Sequence, residues 1–291
     1  MMKKSLIFLI TVLSSFLMFS CRDMIHDMKE IEEKNIQSFK MVDVSDSFRI
    51  NTYETTYWLW YEVREWALKN GYRFVLPGKV ANKEVTNVGL YANYPVSSVH
   101  PADVIVWMNA ISEKNGLTPA YYEDSAYKTV LKNAFLISNY KETLEFGGKL
   151  TDMNGNPLTT YDFTITSNFY TKSGVNGYRL PTQSEWLDAA RGGKNYKKYG
   201  VSDDYHDVAA LGYVHQPGKY LPNSLGLYDT IGNVEELMLD GTTYSAYAFS
   251  YLMDNGSGTL LVNKQVNNAH VYSGMHMFFG FRIAQTIVKF Q

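Results

Sequence analysis

GYRLPTQSEWLDAARGG (Gly177–Gly193) and PNSLGLYDTIGNVEEL (Pro222–Leu237) are the stretches that decide the fold of this chain. In the first, Pro181 stiffens a strand-to-helix corner, and Thr182, Gln183, Ser184 and Glu185 spell a capping box. The spacing predicts a helix from Thr182, with Trp186, Ala189 and Ala190 on its inner face and a stop at Gly192–Gly193. In the second, the carboxylates of Asp229 and Glu236 bracket a tight, glycine-containing turn.

Upstream, Tyr57–Asn70 carries Leu59, Val63, Trp66 and Ala67 at helical spacing, with Thr55 or Thr56 as cap and Gly71 after its end. A further helix is predicted over Pro101–Lys114, with Val104, Trp107, Met108 and Ile111 on one face. Short strands are expected at Gly71–Val75, Thr160–Phe169, Gly258–Val262 and Phe279–Ile283. The fold class is therefore α+β: about three helices, short antiparallel strands and long loops. With no internal repeat and no second linker, residues 45–291 read as one domain.

The N-terminus is organised differently. Lys3 and Lys4 precede an apolar run, Ser5–Phe19, that has secretory length and is short for a membrane span. It ends in Leu17, Met18, Phe19, Ser20 and Cys21, a sequence that resembles a bacterial lipobox. Cys21 is then the expected lipidation site, residues 1–20 the signal peptide and residues 21–44 a charged tether. An ordinary signal peptide or an uncleaved anchor is the alternative.

Cys21 is the single cysteine of the 291 residues. The remaining chain has no disulfide, zinc–thiolate site, iron–sulfur cluster or cysteine nucleophile. The net charge of −2 gives no electrostatic case for nucleic acid. The 23 tyrosines suit either dense packing of a loop-rich domain or a recognition surface.

Together, the two opening stretches and the terminal GFRIA (Gly280–Ala284) resemble the sulfatase-modifying, formylglycine-generating family. ETTYWLWYEVREWA (Glu54–Ala67) and the YPVSSV segment before a tryptophan-bearing helix add to the likeness. The resemblance implies an elaborated C-type-lectin-like fold. It also implies a structural calcium held by the side chains of Asp229 and Glu236 and the carbonyls of Gly232 and Val234. Active members oxidise a substrate cysteine with copper(I) on two C-terminal cysteines, and here none remains, so no copper is expected. The stretch after GNV also departs from the family pattern, with Glu235 and Leu237 in place of aromatics.

Other chemistries find little footing. Of the six histidines, His270 and His276 lie close enough in sequence to approach each other, with His206 or His215 as a third ligand, but exposed or packed histidines are the ordinary outcome. The expectation is a lipid-anchored bacterial envelope protein, at the outer membrane or cell surface, whose domain is a non-catalytic binding module. An envelope-complex subunit and a residual enzyme are the alternatives. The partner is a protein or a glycan. The binding surface is expected on the segment before Gly280, through Tyr272, His276 and Phe278, with Tyr244, Tyr247 and Tyr251 nearby.

Overall fold

The computed structural model describes residues 39–81, 83, 85–140, 165–192, 207, 213–240, 243–247 and 279–289. Cys21, the segment 248–278 with Tyr251, Tyr272, His276 and Phe278, and the expected strand Gly258–Val262 lie outside them. So do His26, His206 and His270.

The three expected helices form where their caps place them. Helix α1 (Tyr57–Lys69) starts on Thr56, whose hydroxyl accepts from the Leu59 N–H. Helix α2 is a single turn, Val88–Tyr91, capped by Asn87, and has no counterpart among the predicted helices. Helix α3 (Pro101–Lys114) has Pro at its first position and the His100 ring as cap. Helix α4 (Gln183–Arg191) carries both bonds of the Thr182–Glu185 capping box and closes on Gly192 in the left-handed conformation. A 3-10 turn, Ala134–Ile137, packs against α3.

Helix α3 is the axis of the core. All twelve residues from Pro101 to Ser112 are buried, so it has no polar face to speak of. Its Trp107 stacks on Trp60 of α1 at 5.8 Å, and Phe281 meets both indoles edge-on at 5.2 and 5.9 Å. That contact rotates α1 away from the predicted face. Tyr57, Trp60, Val63 and Ala67 are its buried residues, while Leu59 and Trp66 are only partly covered. Two buried polar side chains of α3 organise neighbouring loops. Asn109 accepts from the Ala120 and Tyr121 N–H groups and donates to the Tyr121 and Leu131 carbonyls. Asp103 accepts from the N–H groups of Val75 and Leu76 at 2.6 and 2.8 Å.

Three small sheets surround this axis. The first joins β1 (Met41–Asp43), β2 (Phe48–Asn51), β9 (Ala284–Thr286) and β5 (Tyr178–Arg179), in that spatial order and all antiparallel. Strand β1 belongs to this sheet, and Phe39 packs edge-on against Tyr178, so the folded frame begins before residue 45. The second pairs β3 (Tyr121–Tyr122) with β4 (Tyr170–Thr171). The third has β6 (Glu235–Asp240) at its centre, antiparallel to β7 (Thr243–Tyr247) and parallel to β8 (Phe279–Phe281). A parallel pair needs a long crossover, and the chain between β7 and β8 supplies the length. Gly71–Val75 forms no strand: Arg73 makes one isolated bridge to Asn133, and the next N–H groups go to Asp103.

Candidate functional site

The two diagnostic stretches dock on each other. Arg179 holds Glu185 with two parallel bonds of 2.7 Å, which ties β5 to the first turn of α4. At the other end of α4, Asn223 donates to the carbonyls of Ala189 and Ala190 and accepts from Leu225 and Leu227, while Ser224 bonds the Gly192 carbonyl. The Asn–Ser pair thus satisfies carbonyls that the helix end leaves open.

The turn that follows has a backbone few residue types tolerate. Gly226, Asp229, Gly232 and Asn233 all have positive φ, at 81°, 55°, 86° and 58°. Gly, Asn and Asp are the residues that enter this region at least cost, which accounts for their positions in GLYDTIGN. The turn delivers Asp229, Asn233 and Glu236 to one buried place.

At that place Glu236 faces Arg282. Arg282 Nη2 lies 2.7 Å from Glu236 Oε1 and Arg282 Nε 3.0 Å from Oε2, and neither side chain has exposed surface. The Trp186 indole N–H adds a 2.7 Å bond to Oε2. The guanidinium also donates to the carbonyls of Asn51, Thr52 and Tyr228, joining β2, the turn, β6 and the link between β8 and β9 at one group. Burial alone lowers the pKa of Arg282, but the adjoining Glu236 carboxylate outweighs it and secures the cation.

Two further carboxylates lie alongside. Glu54, fully buried just before α1, accepts from Asn233 Nδ2 at 2.6 Å and from the Val234 N–H at 3.2 Å. Burial pushes its pKa well up, the charges of Asp229 and Glu236 push it further, and Arg282 pulls against them. Asp229 Oδ2 accepts from the Gly218 N–H at 2.6 Å. Its pKa is raised, chiefly by burial. Its Oδ1 lies 3.6 Å from His215 Nε2, and neither atom has another partner. Asn233 fixes the His215 backbone, and the ring sits edge-on to Tyr213 and Tyr220.

The structure therefore brings Asp229 and Glu236 to one centre, together with Gly232 and Val234 of the same turn. As donors for calcium, the two carboxylates differ. Both Glu236 oxygens already accept N–H bonds from Arg282 and Trp186, whereas Asp229 accepts only the Gly218 N–H, at Oδ2, and its buried Oδ1 has no hydrogen-bond partner. Among the described residues no group of three or more His, Cys, Asp or Glu side chains is placed to hold a metal ion. The residues that sequence reasoning missed are Glu54, Asn233, Trp186 as a donor, and Arg282, while His215, weighed there as a third ligand to His270 and His276, lies instead beside Asp229. One signal was available: Arg282 is a charge set between Phe281 and Ile283 in an apolar terminal stretch. Among the other expected residues, Tyr244 and Tyr247 fall in β7. His100 is a helix cap packed against Tyr140.

These features define a loop-rich α+β frame, knit by a buried Arg–Glu pair beneath a turn of left-handed residues. Residues 23–287 match the family described as "Sulfatase-modifying factor enzyme 1-like domain", and the chain belongs to that family. Among solved structures it is similar to "Crystal Structure of CarF", with 25% identity, a TM-score of 0.58 and 82% and 86% of the two chains covered. It is also similar in fold to Treponema denticola variable protein 1, with 22% identity, a TM-score of 0.52 and coverage of 82% and 84%. A curated relative, "Chaperone protein LppX" of Paenibacillus barcinonensis, is 31% identical over 166 residues, 49% of this chain and 50% of that protein. The chain thus spans about half the length of that relative. Among the described residues no helix is long and apolar enough to cross a membrane.

Proposed function

We propose that this protein is a lipid-anchored member of the family whose domain binds a partner and does not oxidise cysteine. The observation that carries the reading is the cysteine count: one in 291 residues, placed where the apolar N-terminal run stops. Acylation of Cys21 uses that thiol for the anchor and leaves the domain none with which to hold copper(I). A bacterial envelope location follows from the same residue.

The binding surface is the segment that leaves β7 and returns at β8. These strands flank β6 on either side, so the segment begins and ends on one three-stranded sheet. Loops held by such a frame commonly carry function. Tyr272, His276 and Phe278 are the proposed contacts, being residue types that suit an interface core. A protein partner is favoured over a glycan by the relative named as a chaperone, since a chaperone's ligand is another protein.

The test has two parts. Cys21→Ser should release the protein from the membrane fraction and abolish labelling by a radioactive fatty acid. On intact cells, cross-linking with the tagged protein should capture a partner that is lost when Tyr272, His276 and Phe278 are replaced by Ala. Retention of both membrane association and labelling in Cys21→Ser rules out the anchor. Unchanged capture by the triple variant rules out the surface. Copper-dependent oxidation of a sulfatase-motif peptide would overturn the non-catalytic reading.

A further inference from the structure

Helix α2 is a single turn, and it leaves Leu90 70% exposed. A lone exposed leucine is ordinary. The run around it is not: residues 85–99 (VTNVGLYANYPVSSV) hold no Asp, Glu, Lys, Arg or His, in a chain that is 19% charged. That run is fastened to the start of α1. Tyr57 donates its backbone N–H to the Tyr94 carbonyl at 2.7 Å, and Trp58 to that of Ala92 at 3.0 Å. Trp58 and Tyr61 of α1, with ring centroids 6.2 Å apart, are thereby brought beside Tyr91 and Tyr94, 6.1 Å apart. All four rings are partly exposed. With Leu90 they form an uncharged aromatic and aliphatic face. The next charges along α1 are paired, Glu62 with Lys114 and Glu65 with Arg64.

We infer that this face rests on the lipid surface to which Cys21 anchors the chain, with Leu90 in the acyl boundary and the Trp and Tyr rings at headgroup depth. Such docking presupposes the acylated Cys21 proposed above. Three observations favour lipid over another protein. Trp and Tyr, each an apolar body with a polar tip, are the side chains that concentrate where hydrocarbon meets water. A face without charge can enter that boundary and strand no ion there.

The second observation is where the anchor's chain enters the fold. The Lys40 carbonyl accepts the Thr52 N–H at 2.7 Å, and Thr52 stands five residues before the first residue of α1, no more than about 18 Å of chain. Nineteen residues separate Cys21 from Lys40, a reach of at most about 65 Å. The third is the tether itself. A short link holds the domain at an effective concentration on the order of millimolar at its own membrane. A face too small to hold a free protein on a bilayer is then enough to orient an anchored one. Among the described residues no helix crosses a membrane, so the contact is one of lying on the surface. Its effect is to give the domain one preferred orientation, and with it the segment between β7 and β8.

The experiment uses the protein purified from the membrane fraction and placed in vesicles of phosphatidylethanolamine and phosphatidylglycerol with brominated acyl chains. Bromine quenches indole fluorescence only at close range. Quenching should be observed, and should be equal at about 0.05 and 0.5 M salt, because the face carries no charge. Trp58→Phe should remove most of it, since Trp60, Trp107 and Trp186 are buried in the domain. Leu90→Glu should remove it too, by setting a carboxylate against the acyl boundary. Because Leu90 is exposed, that variant should keep its thermal midpoint within about 2 °C. The mass of the N-terminal peptide from the same sample reports the acyl chains. An acylated protein whose quenching is absent, is lost at high salt, or is unchanged in Leu90→Glu overturns the inference and leaves the anchor standing. An unacylated N-terminus overturns the anchor and the docking with it. Cross-linking to a second copy that disappears in Leu90→Glu would give the face to self-association, and would overturn its assignment to lipid.

Discussion

Arg282 and Glu236 meet in two hydrogen bonds, 2.7 and 3.0 Å long, with no exposed side-chain surface on either residue. They lie 46 residues apart in sequence and fasten the link between β8 and β9 to the turn that defines the family. Removing one partner leaves the other charged and buried. Glu236→Gln or Arg282→Met should therefore cost about 3–5 kcal/mol of stability. Arg282→Lys should cost almost as much, because an ammonium cannot reach three carbonyls and a carboxylate at once. Urea unfolding of the four proteins measures this. A loss below about 1 kcal/mol for Arg282→Lys would show that charge, and not the guanidinium fork, holds the centre.

Trp186 has two roles that one substitution separates. Its ring fills the smaller of the two apolar clusters with Ile50, Leu227, Met238 and Ala284, and its N–H satisfies Glu236. Trp186→Phe keeps much of the ring and loses the donor. The expected loss is about 1–3 kcal/mol, the cost of a charged acceptor left short of one bond. In an Arg282→Met background the same change should cost measurably more or less than in the natural protein, because both residues bond Glu236. Strict additivity in that cycle would separate Trp186 from the ionic centre.

Gly280 shows why the terminal motif opens with glycine. It pairs in register with Glu236, and a Cβ there would lie 2.6 Å from the Val96 carbonyl oxygen and 2.7 Å from Val234 Cγ2. One contact is backbone and cannot swing aside. Gly280→Ala should push β8 away from β6 and destabilise by about 1–3 kcal/mol. The loss should exceed that for Gly116→Ala, where nothing lies within 4 Å and only the positive φ of 69° opposes the change. Equal losses at both positions would mean that close packing of β8 is unimportant.

How far the sequence reveals this architecture depends on the range of the interactions involved. Helix ends were legible because caps are local: Thr56, Thr182 with Glu185, Pro101 and Gly192 each act within a few residues. The inner face of α1 was not, since Trp60 rather than Leu59 turns inward to meet Trp107 and Phe281 from distant segments. The strand expected at Gly71–Val75 fails for a related reason: Tyr72 donates to the Ala67 carbonyl, Arg73 to that of Lys132, and Val75 to Asp103, 28 residues on. At the site, the turn and its two carboxylates could be read directly. Their partners could not, because Trp186 and Arg282 approach Glu236 from separations of 50 and 46 residues.

Asp103 makes the last prediction, one of pH dependence. Its carboxylate is fully buried on α3, and its two oxygens accept the N–H groups of Val75 and Leu76. Burial drives its pKa from 3.8 up to about 7, against the pull of those N–H groups, the more distant Arg64 and the His100 backbone. Between these values the folded protein holds a proton that the unfolded chain has released. Stability from this group is therefore complete below about pH 4 and is lost as the pH rises toward about 7. The span corresponds to about 4 kcal/mol at most. Asp103→Asn cannot titrate, so its stability should lack this decline, although one amide oxygen must then serve two donors. Urea midpoints for both proteins between pH 4 and 7 give the comparison. Parallel curves would mean that Asp103 stays ionised in the fold, its two N–H bonds sufficing to offset the loss of water.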